Sequence, residues 1–176
     1  MTAPERPSPA GAPAPPSEMG LRLRRVMRQW LTGVSILTAR LDDHARGMTC
    51  NSFNSVSDSP ATVLVSIRRG TRTHEMVSAS GLYALSILPA DAERFANRFA
   101  GLEGDAAQDQ FEDVPHRLSP AGLPWLDGSL GYLECRVVHS YDVGASTLFV
   151  AEVEAAEPGD EESSPLGRFR SAYTRG

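Results

Sequence analysis

Gly47-Met48-Thr49-Cys50-Asn51-Ser52-Phe53-Asn54-Ser55-Val56-Ser57 crowds hydroxyls and amides into a stretch whose surroundings read as strands. Buried polar groups are costly unless hydrogen-bonded, so this run either satisfies its own backbone or faces a polar ligand. Composition leaves both readings open: a Ser- and Asn-rich turn that caps itself, or short donors and acceptors spaced along an extended strand.

Outward from this run, residues 34–40, 62–67, 82–88, 130–139 and 147–154 are rich in β-branched and aromatic residues and read as strands. Gly, Pro, Asp and Ser clusters separate them at short intervals, which predicts a closed β structure, a barrel, rather than a parallel sheet with helical crossovers. Leu23, Val26, Met27 and Trp30 follow the spacing i, i+3, i+4, i+7 and predict a short helix with that face on the core. A second helix is expected to begin near residues 89–91 and to present Phe95, Ala96 and Phe99 on one face. A third, shorter one over residues 74–78 is expected to start from Thr73 as N-cap, with Gly81 ending the segment. From residue 157 the chain is acidic, then Arg-rich, and reads as loop and tail. Residues 2–17 are nearly all Pro, Ala, Ser and Gly, so residues 1–18 are expected to form a disordered Pro/Ala-rich arm before a domain over residues 19–176.

At 176 residues, with 41% hydrophobic and 22% charged residues, the chain fits one globular domain. It lacks an apolar run long enough to cross a bilayer and a basic segment followed by an apolar one, so a cytoplasmic location is expected, with no membrane association. A net charge of −5 opposes nucleic-acid binding. All 17 basic residues are arginine, which excludes Schiff-base and P-loop lysine chemistry. Cys50 and Cys135 have no second ligand at metal spacing and read as buried thiols. His44, His74, His116 and His139 form no H-x-x-x-H pair, so no metal site is expected. No serine lies in a G-x-S-x-G elbow, and no G-x-G-x-x-G follows a strand, so neither hydrolysis nor Rossmann dinucleotide binding is supported.

Two segments carry binding chemistry. The run at 47–57 matches a ring with carbonyl and imide edges, such as isoalloxazine. The segment Ser66-Ile67-Arg68-Arg69-Gly70-Thr71-Arg72-Thr73 ends a strand in guanidinium groups, a glycine turn and hydroxyls before a helix start, which suits phosphate. A solvated turn is the alternative for the second.

The chain resembles the flavin reductase-like family with the FMN-binding split barrel, the short reductase components of two-component flavin-dependent monooxygenases. The resemblance runs over Thr32-Gly33-Val34-Ser35-Ile36-Leu37-Thr38, the 47–57 run with Pro60, Phe99-Ala100-Gly101, Gly122-Leu123-Pro124-Trp125-Leu126-Asp127-Gly128, Leu133-Glu134-Cys135 and Thr147-Leu148-Phe149-Val150-Ala151-Glu152-Val153, in that order. It implies a mainly β split barrel of Greek-key type with a few flanking helices. It also implies a homodimer and an NAD(P)H:flavin oxidoreductase that supplies reduced flavin to a partner monooxygenase. The flavin is expected to be FAD, with FMN the alternative, and the donor NADH, with NADPH the alternative. Thr49, Cys50, Asn51, Ser52 and Ser55 would face the ring, and Ser66, Arg68, Arg69, Thr71 and Thr73 the flavin tail. Gly144 and Ser146, with Phe99 and Tyr173, would shape the nicotinamide side. The family's Gly-Asp-His-Thr is Gly144-Ala145-Ser146-Thr147 here. That departure motivates the alternative of a flavin carrier or sensor without reductase activity.

Overall fold

The structure is a computed structural model in which residues 16–102 and 110–175 are described. The expected arm lies outside the described residues as far as position 15. Its last residues belong to a helix instead: Ser17 accepts a hydrogen bond from the Gly20 amide and starts α1, Glu18–Met27.

Seven strands form the main sheet, in the order β3-β2-β6-β9-β10-β5-β4, with every pairing antiparallel. These are β2 (Ser35–Leu41), β3 (His44–Cys50), β4 (Asn54–Asp58), β5 (Ala61–Arg68), β6 (Leu82–Ile87), β9 (Gly131–Val143) and β10 (Ser146–Pro158). The expected strands at 34–40, 62–67, 82–88, 130–139 and 147–154 correspond to β2, β5, β6, β9 and β10. On β5 the alternation is plain, with Val63, Val65 and Ile67 buried and Leu64 and Ser66 half-buried. That alternation fixes register, because a slip of one residue would move the valines out of the core.

Strand β2 is buried on both faces and separates two cores. Leu37 joins Val65, Ile67, Tyr83, Leu85 and Phe149 inside the sheet, whereas Ile36 joins Leu88, Ala96, Phe99, Phe111 and Leu166 outside it. The second core is closed by α3 (Glu93–Phe99), which buries Ala96 and Phe99 as expected while Phe95 stays half-buried. A short pair, β7 (His116–Leu118) with β8 (Pro124–Leu126), and a three-stranded sheet of β1 (Thr32–Gly33), β11 (Leu166–Phe169) and β12 (Ala172–Arg175) complete the fold. The expected C-terminal tail is therefore partly a hairpin, anchored by Leu166, which is 1% exposed.

Two helix expectations need correction. Helix α2 spans Arg72–Ser80, and its N-cap is Thr71 rather than Thr73: Thr71 is extended and accepts from the His74 amide, whereas Thr73 is already inside the helix and buried. Gly81 ends it at φ 68, a left-handed conformation that glycine adopts at little cost. Helix α1 buries none of its residues. Leu23, Val26, Met27 and Trp30, expected on the core, are 51–67% exposed. The segment is nevertheless fastened: Arg170 donates its amide to Arg28 O at 2.9 Å and its Nε to Gln29 at 3.1 Å, while Arg28 reaches Arg170 O.

Gly47 joins β3 to α3 through an approach no side chain permits, since a Cβ there would lie 2.7 Å from the buried Phe99 ring. Gly47→Ala is expected to lower stability by about 1–3 kcal/mol, the usual cost of overpacking a filled core. Gly33→Ala, with nothing within 4 Å of the new methyl, serves as the near-neutral control. Urea denaturation of both variants checks this.

Candidate functional site

Among the described residues the main sheet does not close: β3 and β4 are its two ends. Strand β4 pairs with β5 from Asp58↔Ala61 to Asn54↔Leu64, and continuing that register would set Ser52 opposite Ser66. There the Ser52 side chain replaces the missing backbone partner. Its hydroxyl donates to Ser66 O at 2.8 Å and accepts from the Ser66 amide at 3.3 Å. This satisfies two main-chain groups on an otherwise open edge.

The residues before Ser52 are held just as firmly. Thr49 Oγ1 donates to Ala96 O at 2.5 Å, and Ser35 Oγ donates to Cys50 O at 3.1 Å. Cys50 is 2% exposed and its thiol packs in the inner core, 3.4 Å from Ser52 Oγ. Burial pushes that thiol's pKa up, so it is neutral, and its sulfur is turned away from any ligand on the surface. Asn51 and Ser55, by contrast, are exposed.

Beside the Ser52–Ser66 contact lies a cavity of about 750 Å³. Asn51, Ser52, Phe53 and Asn54 form one wall. Met27, Trp30 and Leu31 form an apolar second wall, and Arg24, Arg28, Arg168 and Arg170 bring four guanidiniums. Thr32 also lines it, and its Oγ1 is buried with no hydrogen-bond partner among the described residues. An orphaned hydroxyl, exposed amides, an indole and cationic groups around one space suit a planar hydrogen-bonding ring that carries phosphate. The flavin expected from the sequence fits this donor set. The sequence placed Trp30 on the core face of a helix, and neither it nor Thr32 nor the four arginines was among the site residues expected from the sequence. Only the recurrence of arginine beside the apolar stripe of α1, at positions 24 and 28, hinted at them.

The phosphate-end candidates lie at the far end of β5, against the β9–β10 turn. Arg68 pairs in register with Ser146, and the Arg69 amide donates to Ala145 O at 2.9 Å. The Arg69 guanidinium is committed, to Asp142 Oδ2 at 3.0 Å and to Gly144 O at close range. The Arg68 guanidinium has no partner among the described residues, so of the two it is the one available to a ligand. Thr71 Oγ1 donates to Arg68 O at 3.0 Å and shapes the turn, whereas Thr73 is only 5% exposed. Gly144, at φ 57, and Ser146 flank the same turn. Phe99 and Tyr173 stand apart from this group. Phe99 is buried against Phe111, with ring centroids 5.3 Å apart, and Tyr173 lies beneath Arg168 of the cavity wall, whose guanidinium is 4.7 Å from its ring.

A hydrogen-bond relay stiffens the β9–β10 turn. Thr147 Oγ1 lies 2.6 Å from Asp142 Oδ1 and 2.9 Å from His74 Nε2. The ionised carboxylate only accepts, so the one hydroxyl hydrogen goes to Asp142, and His74 Nε2 must carry the hydrogen that it donates to Thr147. The bond from Thr147, with the charge of Arg69 beside it, holds Asp142 below the usual carboxylate range.

A family model described as "Flavin reductase like domain" matches residues 27–176. The NADH-dependent FAD reductase of Streptomyces globisporus is 36% identical over 166 residues, covering 89% of this chain and 91% of the relative. The reductase subunit of a flavin-dependent monooxygenase from Mycobacterium tuberculosis strain H37Rv is 30% identical over 86% of this chain and 79% of the relative. Among solved structures, the NADH:FAD oxidoreductase of Streptomyces globisporus C-1027 superimposes with a TM-score of 0.83 at 32% identity, covering 96% of this chain and 99% of that one. The mainly β, split-barrel expectation is met by this likeness.

Thr147→Val removes the shared hydroxyl, and amide hydrogen exchange over residues 143–146 is expected to quicken about tenfold, the equivalent of one or two net hydrogen bonds. In the unchanged protein the depressed Asp142 pKa means that this support is present above the ordinary carboxylate range and lost as pH falls through the folded-state value. Exchange of the same amides, corrected for intrinsic rates, should therefore rise in acid in the wild type and much less in Thr147→Val.

Proposed function

The chain belongs to the flavin reductase-like domain family, and on that premise we propose that it is an NADH-dependent flavin reductase that hands reduced flavin to a separate monooxygenase. The observation that carries this reading is the cavity beside the Ser52–Ser66 seam, where exposed amides, an indole and four guanidiniums surround one space. The two free, buried cysteines suit a reducing cytoplasm.

Bound flavin supplies the chemistry by accepting hydride from the nicotinamide. The chain's task is to hold the two rings at contact distance and keep water out. Ser52 has spent its proton on Ser66 O and its lone pairs on the Ser66 amide and the Cys50 thiol, so its part is to hold the rim in place beside the ring. Asn51 offers both donor and acceptor, and Thr49 and Cys50 contribute backbone along β3. Ser55 extends the polar edge on β4, and Ser66, Arg68 and Thr71 lead toward the phosphate end. Arg69 and Thr73 support that end from behind, Arg69 through Asp142. Gly144 and Ser146 form the adjoining turn, Tyr173 backs Arg168 of the cavity wall, and Phe99 stays in the outer core beneath Gly47. The titratable residues that line the cavity are arginines, so the protein acts by orientation and by favouring the negative charge that accompanies reduction. FAD is the preferred flavin, because a pyrophosphate calls for more than one cation, and FMN is the alternative.

The uncovered stripe of α1 and the exposed Trp30 support a homodimer, since an apolar patch of this kind marks a contact surface. It adjoins the cavity, so a partner copy would complete the cavity's apolar wall.

Mixing protein and FAD anaerobically with NADH is expected to bleach the oxidised flavin band, and Ser52→Phe to slow this at least tenfold. Tight flavin binding without bleaching by NADH or NADPH would overturn the reductase reading and favour a carrier, as the Ala145 and Ser146 replacements first suggested. Leu23→Asp with Trp30→Asp is expected to halve the mass measured by light scattering. An unchanged mass would place the dimer contact elsewhere.

A further inference from the structure

Helix α1 buries no side chain. Among the described residues, the hydrogen bonds that join residues 17–30 to the rest of the chain all go to one residue, Arg170. Its amide donates at 2.9 Å to Arg28 O, a carbonyl at the helix end that has no helical partner. Its own carbonyl accepts from the Arg28 guanidinium at 3.3 Å, and its Nε donates to Gln29 Oε1 at 3.1 Å. Beyond this point Leu31 packs on Gly167, where an added Cβ would lie 3.0 Å from Leu31 Cδ1, and Thr32 enters β1 opposite Arg168.

The turn that presents Arg170 is strained. Strands β11 and β12 pair as far as Phe169↔Ala172, so Arg170 and Ser171 form a two-residue hairpin loop, at φ 50 and φ 67. A loop with both central residues left-handed is the geometry that Asn-Gly adopts at little cost. Arginine and serine each bring a Cβ close to the following carbonyl instead. Such a conformation persists where its surroundings over-determine it. The bonds from Arg170 to Arg28 and Gln29 supply that determination, and the Arg170 guanidinium adds to it by lying 5.0 Å over the Phe169 ring.

We propose that Arg170 and Gln29 are positioning residues for the cavity assigned to flavin: a clasp between the β11–β12 turn and the end of α1 that sets the distance between the cavity's two walls. Met27, Arg28, Trp30 and Leu31 stand on one side and residues 51–54 on the other. The second wall is tied to the main sheet through Ser52 and Ser66, whereas the first hangs on a helix with no buried residue. The clasp is therefore what holds the first wall at a fixed separation from the second. Gln29 does not itself line the cavity, so it acts through Arg170. The inference rests on the flavin reading of that cavity and adds what keeps it at width.

Two readouts test this in the wild type, in Gln29→Leu and in Gln29→Leu with Ser171→Gly: hydrogen exchange of the Arg170 amide, and FMN titration followed by flavin fluorescence. Gln29→Leu is expected to quicken exchange at Arg170 about fivefold, the equivalent of one net hydrogen bond, and to weaken FMN binding by a similar factor. In steady state the loss should fall on KM for flavin rather than on kcat. Ser171→Gly relaxes the turn, so the double variant is expected to recover part of both the protection and the affinity, which a general loss of folding would not do. Unchanged exchange at Arg170 in Gln29→Leu, or quickened exchange with FMN affinity unchanged, overturns the proposal. Failure of the wild type to bind FMN overturns the flavin reading, and the clasp's role with it, even where exchange shows that the clasp is made.

Discussion

The Ser52 hydroxyl, bonded in both directions to the backbone of Ser66, is the contact that the rest of the site depends on. A sheet whose two ends do not meet leaves main-chain donors and acceptors that must be paired or hydrated. Pairing β4 with β5 along their whole length would have sealed the opening. The ladder stops instead at Asn54↔Leu64, and a side chain takes over where it would have continued. The opening therefore survives without leaving the Ser66 groups unpaired. The polar run that stood out in the sequence is the rim of that opening, anchored at Thr49 to α3 and at Cys50 to β2.

Rigidity is distributed unevenly around this opening. Its floor is the doubly buried strand β2 and the packed core of Leu37, Val65 and Phe149, where native density allows little movement. Its far end is the β9–β10 turn, held by the chain from His74 through Thr147 to Asp142 and Arg69. Ser146 stands in that turn where the resemblance implies a histidine, and the relay behind the turn holds it in order. Its near end is α1, fastened at one terminus but with its apolar stripe uncovered.

Strands with alternating β-branched residues, such as residues 61–68, were legible because burial imposes a period of two. Strand β3 was not, since His-Ala-Arg-Gly-Met-Thr-Cys lacks both alternation and β propensity. It holds its place through pairing with β2 and through Gly47 beneath Phe99. The periodicity of α1 showed which face is apolar but not what covers it, because a core and a partner select the same pattern. The two arginines at 68 and 69 looked equivalent in sequence. Only the fold brings Asp142 to Arg69 across 73 positions and leaves Arg68 without a partner among the described residues. The hydroxyls and amides at 49–55 were readable as binding chemistry, whereas Trp30, Thr32, Arg168 and Arg170 converge on them from distant segments with no local signature.

The central claim is that flavin lies against the rim built by Thr49, Asn51 and Ser52. A crystal structure of the FAD complex tests it most directly. The account predicts the isoalloxazine ring beside residues 49–52, with its phosphates running toward Arg68 and Thr71. Flavin bound with Ser52 and Asn51 untouched would contradict it.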